Sequence, residues 1–305
     1  MKIAVIDLGT NGFRLQIAET FEAGKFEIIH RESNELKLAS EGIHRIGAAP
    51  FQRGVAAMQH FANVLKQHNV LKINAFGTAA LRLAENGAEF IETVKHKTGI
   101  AIELISGARE AELIYKGMRL GFPFPLEFPR SSIEPVVMID VGGGSVEFII
   151  ADADKMLWAK SFDIGVTILK QRFHKNDPIL CSEIEVIEAF LDNKTQDLMR
   201  AFEEFQPKIP VIACGTLDFM VKIMRGGYEK PYFELDKIRF QSFYQQLTFL
   251  DENTLYNTPG VPKDKVEMLA VSMVLMDWIM RKLEAEKLIA SAYSMKQGMF
   301  YEMTF

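Results

Sequence analysis

A chain of 305 residues is long for one hydrophobic core and predicts two domains. Its 48% apolar and 25% charged content is that of a soluble globular protein, and a net charge of -5 excludes a large basic face for duplex nucleic acid while leaving room for small anions. Two cysteines, Cys181 and Cys214, lack Cys-x-x-Cys spacing and so exclude a disulfide framework and a structural zinc site. The chain enters a strand at once with no signal peptide, and no apolar run reaches the roughly 18 residues of a bilayer span. The expectation is a cytoplasmic protein with no membrane partner.

In chain order, residues 2–7, 13–19 and 26–38 read as a meander of three strands. Residues 51–69 have helical spacing, with Val55, Met58, Ala62 and Leu65 on one face. A strand at 73–76, a helix at 79–97, a strand at 100–105 and a helix at 108–119 follow, which implies a mixed sheet with helices on its faces. Residues 121–135, with four prolines, read as a linker. The pattern then restarts with strands at 136–140, 146–151 and 157–161. A helix at 182–205, a strand at 210–213, a helix at 216–224, a long helix at 261–288, a strand at 289–293 and a helical turn at 296–302 complete it. The Met-rich stripe of the long helix reads as core. The predicted domains are 1–125 and 126–305, with a C-terminal helix at about 295–305 packing back on the first.

The restart is a repeat. IAVIDLGTNGFRLQIA (3–18) aligns without a gap on VVMIDVGGGSVEFIIA (136–151), placing Asp7 on Asp140 and Gly9 on Gly142. Each copy is a hairpin of two buried strands with an aspartate and a Gly-rich tip. AFGTAAL (75–81) likewise matches ACGTLDF (213–219), so Gly77-Thr78 and Gly215-Thr216 occupy equivalent strand-to-helix turns. Helix N-termini present free N–H groups to anions. Glycines at Gly9, Gly12, Gly142, Gly143 and Gly144, with Thr10, Asn11 and Ser145, let backbone amides close on phosphate. Two symmetric carboxylates, Asp7 and Asp140, suit Mg²⁺, which takes few protein ligands. Neither tip is a P-loop, and the six histidines show no ligand spacing. Cys214 reads as a small loop residue rather than a nucleophile.

Together IDLGTNGFRL (6–15), FGTAALRLAEN (76–86), ELISGAREAELIYKG (103–117), the second hairpin and SFDIGVTILKQRF (161–173) resemble the Ppx/GppA phosphatase family, the exopolyphosphatases and guanosine pentaphosphate phosphohydrolases. The ISGxxEA helix start together with IDxGGGSxE is specific for it. The resemblance covers essentially the whole chain and looks like the short two-domain form. It implies an α/β fold of two actin-like, ribonuclease H-like domains with an interdomain cleft. It implies Mg²⁺-assisted attack of water on the terminal phosphate of inorganic polyphosphate or pppGpp, and a possible homodimer.

The resemblance makes Glu110 the general base that accepts the water proton. It gives Glu147 a role in the water or metal shell and places Arg82 in the substrate channel, where a guanidinium forks around phosphate oxygens. Arg14, on the strand leaving the first tip, is a second candidate for holding phosphate. Arg109, beside Glu110, would put positive charge near the base or substrate. There are departures from the family pattern: Ile168 replaces a frequent arginine, and SMKQG (294–298) stands where GLREG is frequent. Two other readings share these residues, namely an ATP-using kinase or ATPase of the wider superfamily and a (p)ppGpp- or polyphosphate-binding regulator with weak turnover.

Overall fold

A computed structural model describes residues 1–22, 25–121 and 135–304. The chain divides into two compact units, Met1–Gly117 with Met295–Phe305, and Met118–Ser294. The predicted linker at 121–135 lies almost wholly outside the described residues.

The first unit is built on a five-stranded sheet in the order β3-β2-β1-β4-β5. Its strands are β1 (Lys2–Leu8), β2 (Gly12–Thr20), β3 (Phe26–Glu35), β4 (Lys72–Gly77) and β5 (Ile102–Leu104). β1 runs antiparallel to β2 and parallel to β4. Six of the seven β1 residues are buried, because helices cover the centre of the sheet. The helices are α1 (Ala48–Gln67), α2 (Ala79–Leu83), α3 (Gly87–Thr98), α4 (Gly107–Gly121) and, from the chain's end, α12 (Met295–Thr304). Val55, Met58, Phe61 and Leu65 of α1 bury against Phe13, Leu15 and Ile17 of β2 and Phe90 of α3 in one core.

The second unit repeats the order and adds an edge strand: β10-β11-β9-β6-β7-β8. Its strands are β6 (Val136–Val141), β7 (Val146–Ala151), β8 (Met156–Phe162), β9 (Ile209–Ala213), β10 (Tyr232–Asp236) and β11 (Lys287–Ser291). The β6/β7 pair is antiparallel, and β6/β9 and β9/β11 are parallel, as in the first unit. Its helices are α5 (Val166–Phe173), α6 (Cys181–Lys194), α7 (Gln196–Phe205), α8 (Gly215–Arg225), α9 (Lys237–Leu247), α10 (Glu252–Asn257) and α11 (Val266–Lys282). α11 is buried at every position from Val266 to Met280 except Glu267 and Met268, and it is the central helix of this core. Among the described residues no helix is long and apolar enough to cross a membrane.

Helix ends are where sequence and structure part. The helix predicted over 79–97 is two, because Asn86 leaves helical geometry to clamp Ile46, accepting from its N–H and donating to its C=O at 2.9 Å each. The helix predicted over 182–205 breaks at Thr195, whose fully buried hydroxyl bonds the Leu191 carbonyl at 2.7 Å. The 261–288 helix is shorter at both ends, and Glu284 turns the chain toward β11 at φ 49. β10, α9 and α10 were not predicted, although Asp236 and Asp251 cap the two helices by accepting from Arg239 and Thr254 amides at 2.8 Å.

The entry to α6 is held by one carboxylate. Glu183 accepts from the Lys175, Asn176 and Leu180 amides and from the Asn176 side chain, at 2.7 to 3.1 Å. Partial desolvation pushes this carboxyl up, but the four donors outweigh it and bring its pKa from 4.5 to about 2. The lowered value means that its stabilisation is complete above about pH 5 and is lost as pH falls toward 2. Glu183→Gln is expected to cost about 1–2 kcal/mol at neutral pH. It should also flatten the acid limb of a urea-midpoint-against-pH curve below pH 5; an unchanged limb would remove Glu183 from the acid response.

Candidate functional site

In both units the carboxyl ends of the parallel strands carry the predicted residues. Sheet register pairs Asp7 with Arg14 across the first hairpin and Asp140 with Glu147 across the second. The aspartates are therefore equivalent, and the residue facing each differs in charge. Register also pairs Asp7 with Phe76 and Asp140 with Ala213, so the second turn holds one extra residue, Cys214, before its Gly-Thr.

The two tips are set by the same device. In the first, Leu36 and Lys37 amides donate to the Asn11 carbonyl at 2.9 Å, and the Leu38 amide donates to the Thr10 carbonyl at 3.0 Å. Buried Leu36 and Leu38 anchor that segment. In the second, the start of α5 donates Gly165, Val166 and Thr167 amides to the carbonyls of Gly144, Gly142 and Gly143, at 3.3, 3.0 and 2.9 Å. A helix N-terminus, usually short of acceptors, here finds three in a glycine run. The loop carbonyls are turned toward α5, and among the described residues nothing accepts from the Gly143 and Gly144 amides. Gly165 must be glycine, since a Cβ there would stand 2.3 Å from the Gly143 carbonyl oxygen.

Within the first unit, Glu110 lies in the first turn of α4, which Ser106 starts by accepting from the Arg109 amide at 3.2 Å. Glu110 is only 7% exposed, and its Oε2 accepts from Arg82 Nη1 at 3.2 Å. The same Arg82 nitrogen donates to the Ile105 carbonyl at 3.0 Å. Arg82 thus sits on the proposed base, a pairing that sequence spacing does not reveal. α12 fixes α4 from behind: a Cβ at Gly298 would meet the Leu113 carbonyl oxygen at 1.8 Å. Arg109 turns away from Glu110, contrary to expectation. It bonds Glu112 and Glu302, and Glu302 also takes Lys116 at 2.6 Å. Burial pushes the Glu302 carboxyl up, and the Arg109 and Lys116 bonds outweigh it and hold it below the ordinary range.

Asp7 faces two cations, Arg14 Nη1 at 3.7 Å and Lys296 Nζ at 3.8 Å. Lys296 was missed as a site residue because it lies far along the chain, inside the segment read as a departure. Thr78 is buried, and its hydroxyl is directed to the Leu8 carbonyl at 3.4 Å.

In the second unit, Glu147 is 2% exposed and accepts from the hydroxyl of its cross-strand neighbour Ser161 at 2.7 Å. Ser294 donates to Asp140 Oδ2. The Thr216 hydroxyl donates inward to Ser272 of α11 at 2.8 Å, which leaves the expected backbone N–H role of this turn as it stood. Cys214 lies in the same buried group, 3.4 Å from the Ser272 hydroxyl, and burial pushes its thiol up, as befits a packing residue. Lys265, also missed, lies along Gly215, with its Cε 3.4 Å from where a Cβ would be. The counterpart of Arg82 is Met220, fully buried in the core, so the arginine has no equivalent here.

Among the described residues no group of three or more His, Cys, Asp or Glu converges as a ready metal cage. The Asp140 and Glu147 carboxylates, each already oriented by a serine, are a hard oxygen set of the kind that fits Mg²⁺, which needs only one or two carboxylates. Asp7, between two cations, fits that role less well.

Comparison with known proteins bears on these features. The model of the Ppx/GppA phosphatase family matches residues 17–304. A crystal structure of an exopolyphosphatase from Cytophaga hutchinsonii superposes with a TM-score of 0.93 at 27% identity, covering 100% of this chain and 98% of that one. A Haemophilus influenzae protein is 25% identical over 305 residues, 99% of this chain and 91% of its own length. A guanosine-5'-triphosphate,3'-diphosphate pyrophosphatase of Pseudoalteromonas translucida is 26% identical over 307 residues, and this chain spans 59% of its length.

The seating of α5 on the second tip is testable through Gly165. Gly165→Ala forces a Cβ against the Gly143 carbonyl and is expected to cost about 2–3 kcal/mol. Urea unfolding measures it, and a wild-type midpoint would show that the loop and helix are not in contact.

Proposed function

The chain belongs to the Ppx/GppA phosphatase family, and from that membership we propose that it is an exopolyphosphatase-type hydrolase removing the terminal phosphate of inorganic polyphosphate or pppGpp. The reading is carried by one observation, the buried Glu110 carboxylate held by Arg82 at 3.2 Å. The 27% identical exopolyphosphatase supports polyphosphate, and the 26% identical pyrophosphatase supports pppGpp. The fold is shared with that exopolyphosphatase, at a TM-score of 0.93 over 100% of this chain.

Glu110 acts as general base. It takes a proton from water as the water oxygen bonds to the terminal phosphorus. The bond from phosphorus to the bridging oxygen breaks, and the shortened phosphate chain leaves with the electron pair. Arg82 orients Glu110 by one N–H and keeps further guanidinium donors for phosphate oxygens. Arg14 and Lys296, held together by Asp7, add positive charge in the first unit. The Gly143 and Gly144 amides bind phosphate oxygens in the second, and Lys265 extends that role beside Gly215-Thr216. Mg²⁺ bound by Asp140 and Glu147 would neutralise charge on the phosphate oxygens. Losing a general base typically costs 10²- to 10⁴-fold in rate.

Phosphate release from polyphosphate, pppGpp and ATP with Mg²⁺ tests this in wild type and Glu110→Gln. Turnover of polyphosphate or pppGpp ahead of ATP is expected, with kcat at least about 100-fold lower in the variant. ATP as the preferred substrate would make the protein an ATPase or kinase. Nucleotide binding without turnover of any substrate would make it a regulator, and an unchanged kcat would remove Glu110 as base.

A further inference from the structure

We propose that Ser294 is a positioning residue for Asp140, orienting its carboxylate to receive a divalent cation. The inference rests on the metal role given to Asp140 above. It concerns a residue in the segment that reads from sequence only as a departure.

The placement of Ser294 is built rather than incidental. β11 lies parallel to β9, and β9 lies parallel to β6, so the carboxyl ends of these strands are adjacent. The turn leaving β11 is pinned at Ser291, whose buried hydroxyl donates to the Tyr293 carbonyl at 2.7 Å and accepts from the Tyr293 amide at 3.2 Å. The Ala292 amide adds a bond to the Pro231 carbonyl at 2.8 Å. Three bonds thus fix the backbone on the approach to Ser294, which is 8% exposed and gives its hydroxyl hydrogen to Asp140 Oδ2.

The chemistry follows from the donor count. A serine hydroxyl has one proton, and a carboxylate has about four lone-pair sites. Donation to Oδ2 restrains rotation of the carboxylate through one of these sites. Ser161 does the same for Glu147 at 2.7 Å, so both carboxylates of this tip are oriented by a hydroxyl from a neighbouring element. Hydrogen bonds that orient a metal ligand commonly account for 10- to 100-fold in metal affinity. A purely structural hydroxyl would instead tie the 292–294 turn to β6 and affect stability alone.

Mn²⁺ binding to the full-length chain, followed by calorimetry and by electron paramagnetic resonance without substrate, separates these cases. Ser294→Ala should weaken Mn²⁺ binding about 10- to 100-fold. Ser294→Thr, which keeps the hydroxyl, should stay close to wild type. An Ser294→Ala variant that binds Mn²⁺ as wild type does, whether or not its metal-free Tm falls, overturns the proposal. If Asp140→Asn abolishes binding while Ser294→Ala does not, only the role of Ser294 fails. If wild type binds no Mn²⁺, the metal role of Asp140 fails with it.

Discussion

Two Gly-rich tips owe their shape to backbone hydrogen bonds made behind them. Amides of residues 36–38 in one unit, and of 165–167 in the other, draw the tip carbonyls toward the protein. A peptide's carbonyl and amide lie in one plane and point in opposite directions, so fixing the carbonyls fixes which way the amides face. In the second unit the Gly142, Gly143 and Gly144 carbonyls are all taken by the start of α5. Glycine is demanded where α5 closes on the tip, because at Gly165 even a methyl group would meet the Gly143 carbonyl. The shape of this tip is therefore fixed by packing against α5.

On this shared frame the two units have diverged in what faces the aspartate. Asp7 looks across its hairpin at Arg14 and is also within 4 Å of Lys296, so its charge goes to holding cations. Asp140 looks across at a second carboxylate, Glu147, and both accept from serine hydroxyls. Like charges on adjacent strands repel, and a pair of carboxylates in register is costly unless a cation or strong donors compensate. The serines supply part of that compensation. The equivalent of Arg82 has become a buried methionine. One copy of the repeat thus gathers positive charge and the other gathers oxygen ligands.

Legibility in the sequence followed the range of the interaction. The doubled hairpin, the mixed sheets and the family were readable because alternating burial and the Asp-Gly tips are local patterns. Asp7 and Asp140 stood out as candidates through the same tips, while Glu110 and Glu147 were singled out by the family resemblance. Helix breaks at Asn86 and Thr195 were not, since a distant backbone or a buried carbonyl decided them. Nor was the direction of Arg109, which neighbours Glu110 in sequence yet pairs with Glu302 on α12. Thr216 matched Thr78 in motif, but Ser272 of α11 claims its hydroxyl.

By itself the sequence determined that this protein has two copies of one sheet, each with an aspartate and a Gly-rich tip, because strand periodicity and glycine placement are written residue by residue. Only the tertiary structure decided the partner of each charged group. Arg82 meets Glu110, Lys296 meets Asp7 and Ser294 meets Asp140 across separations of 28, 289 and 154 positions. Such pairings depend on how strand ends and helices come together in space, and no local pattern encodes that.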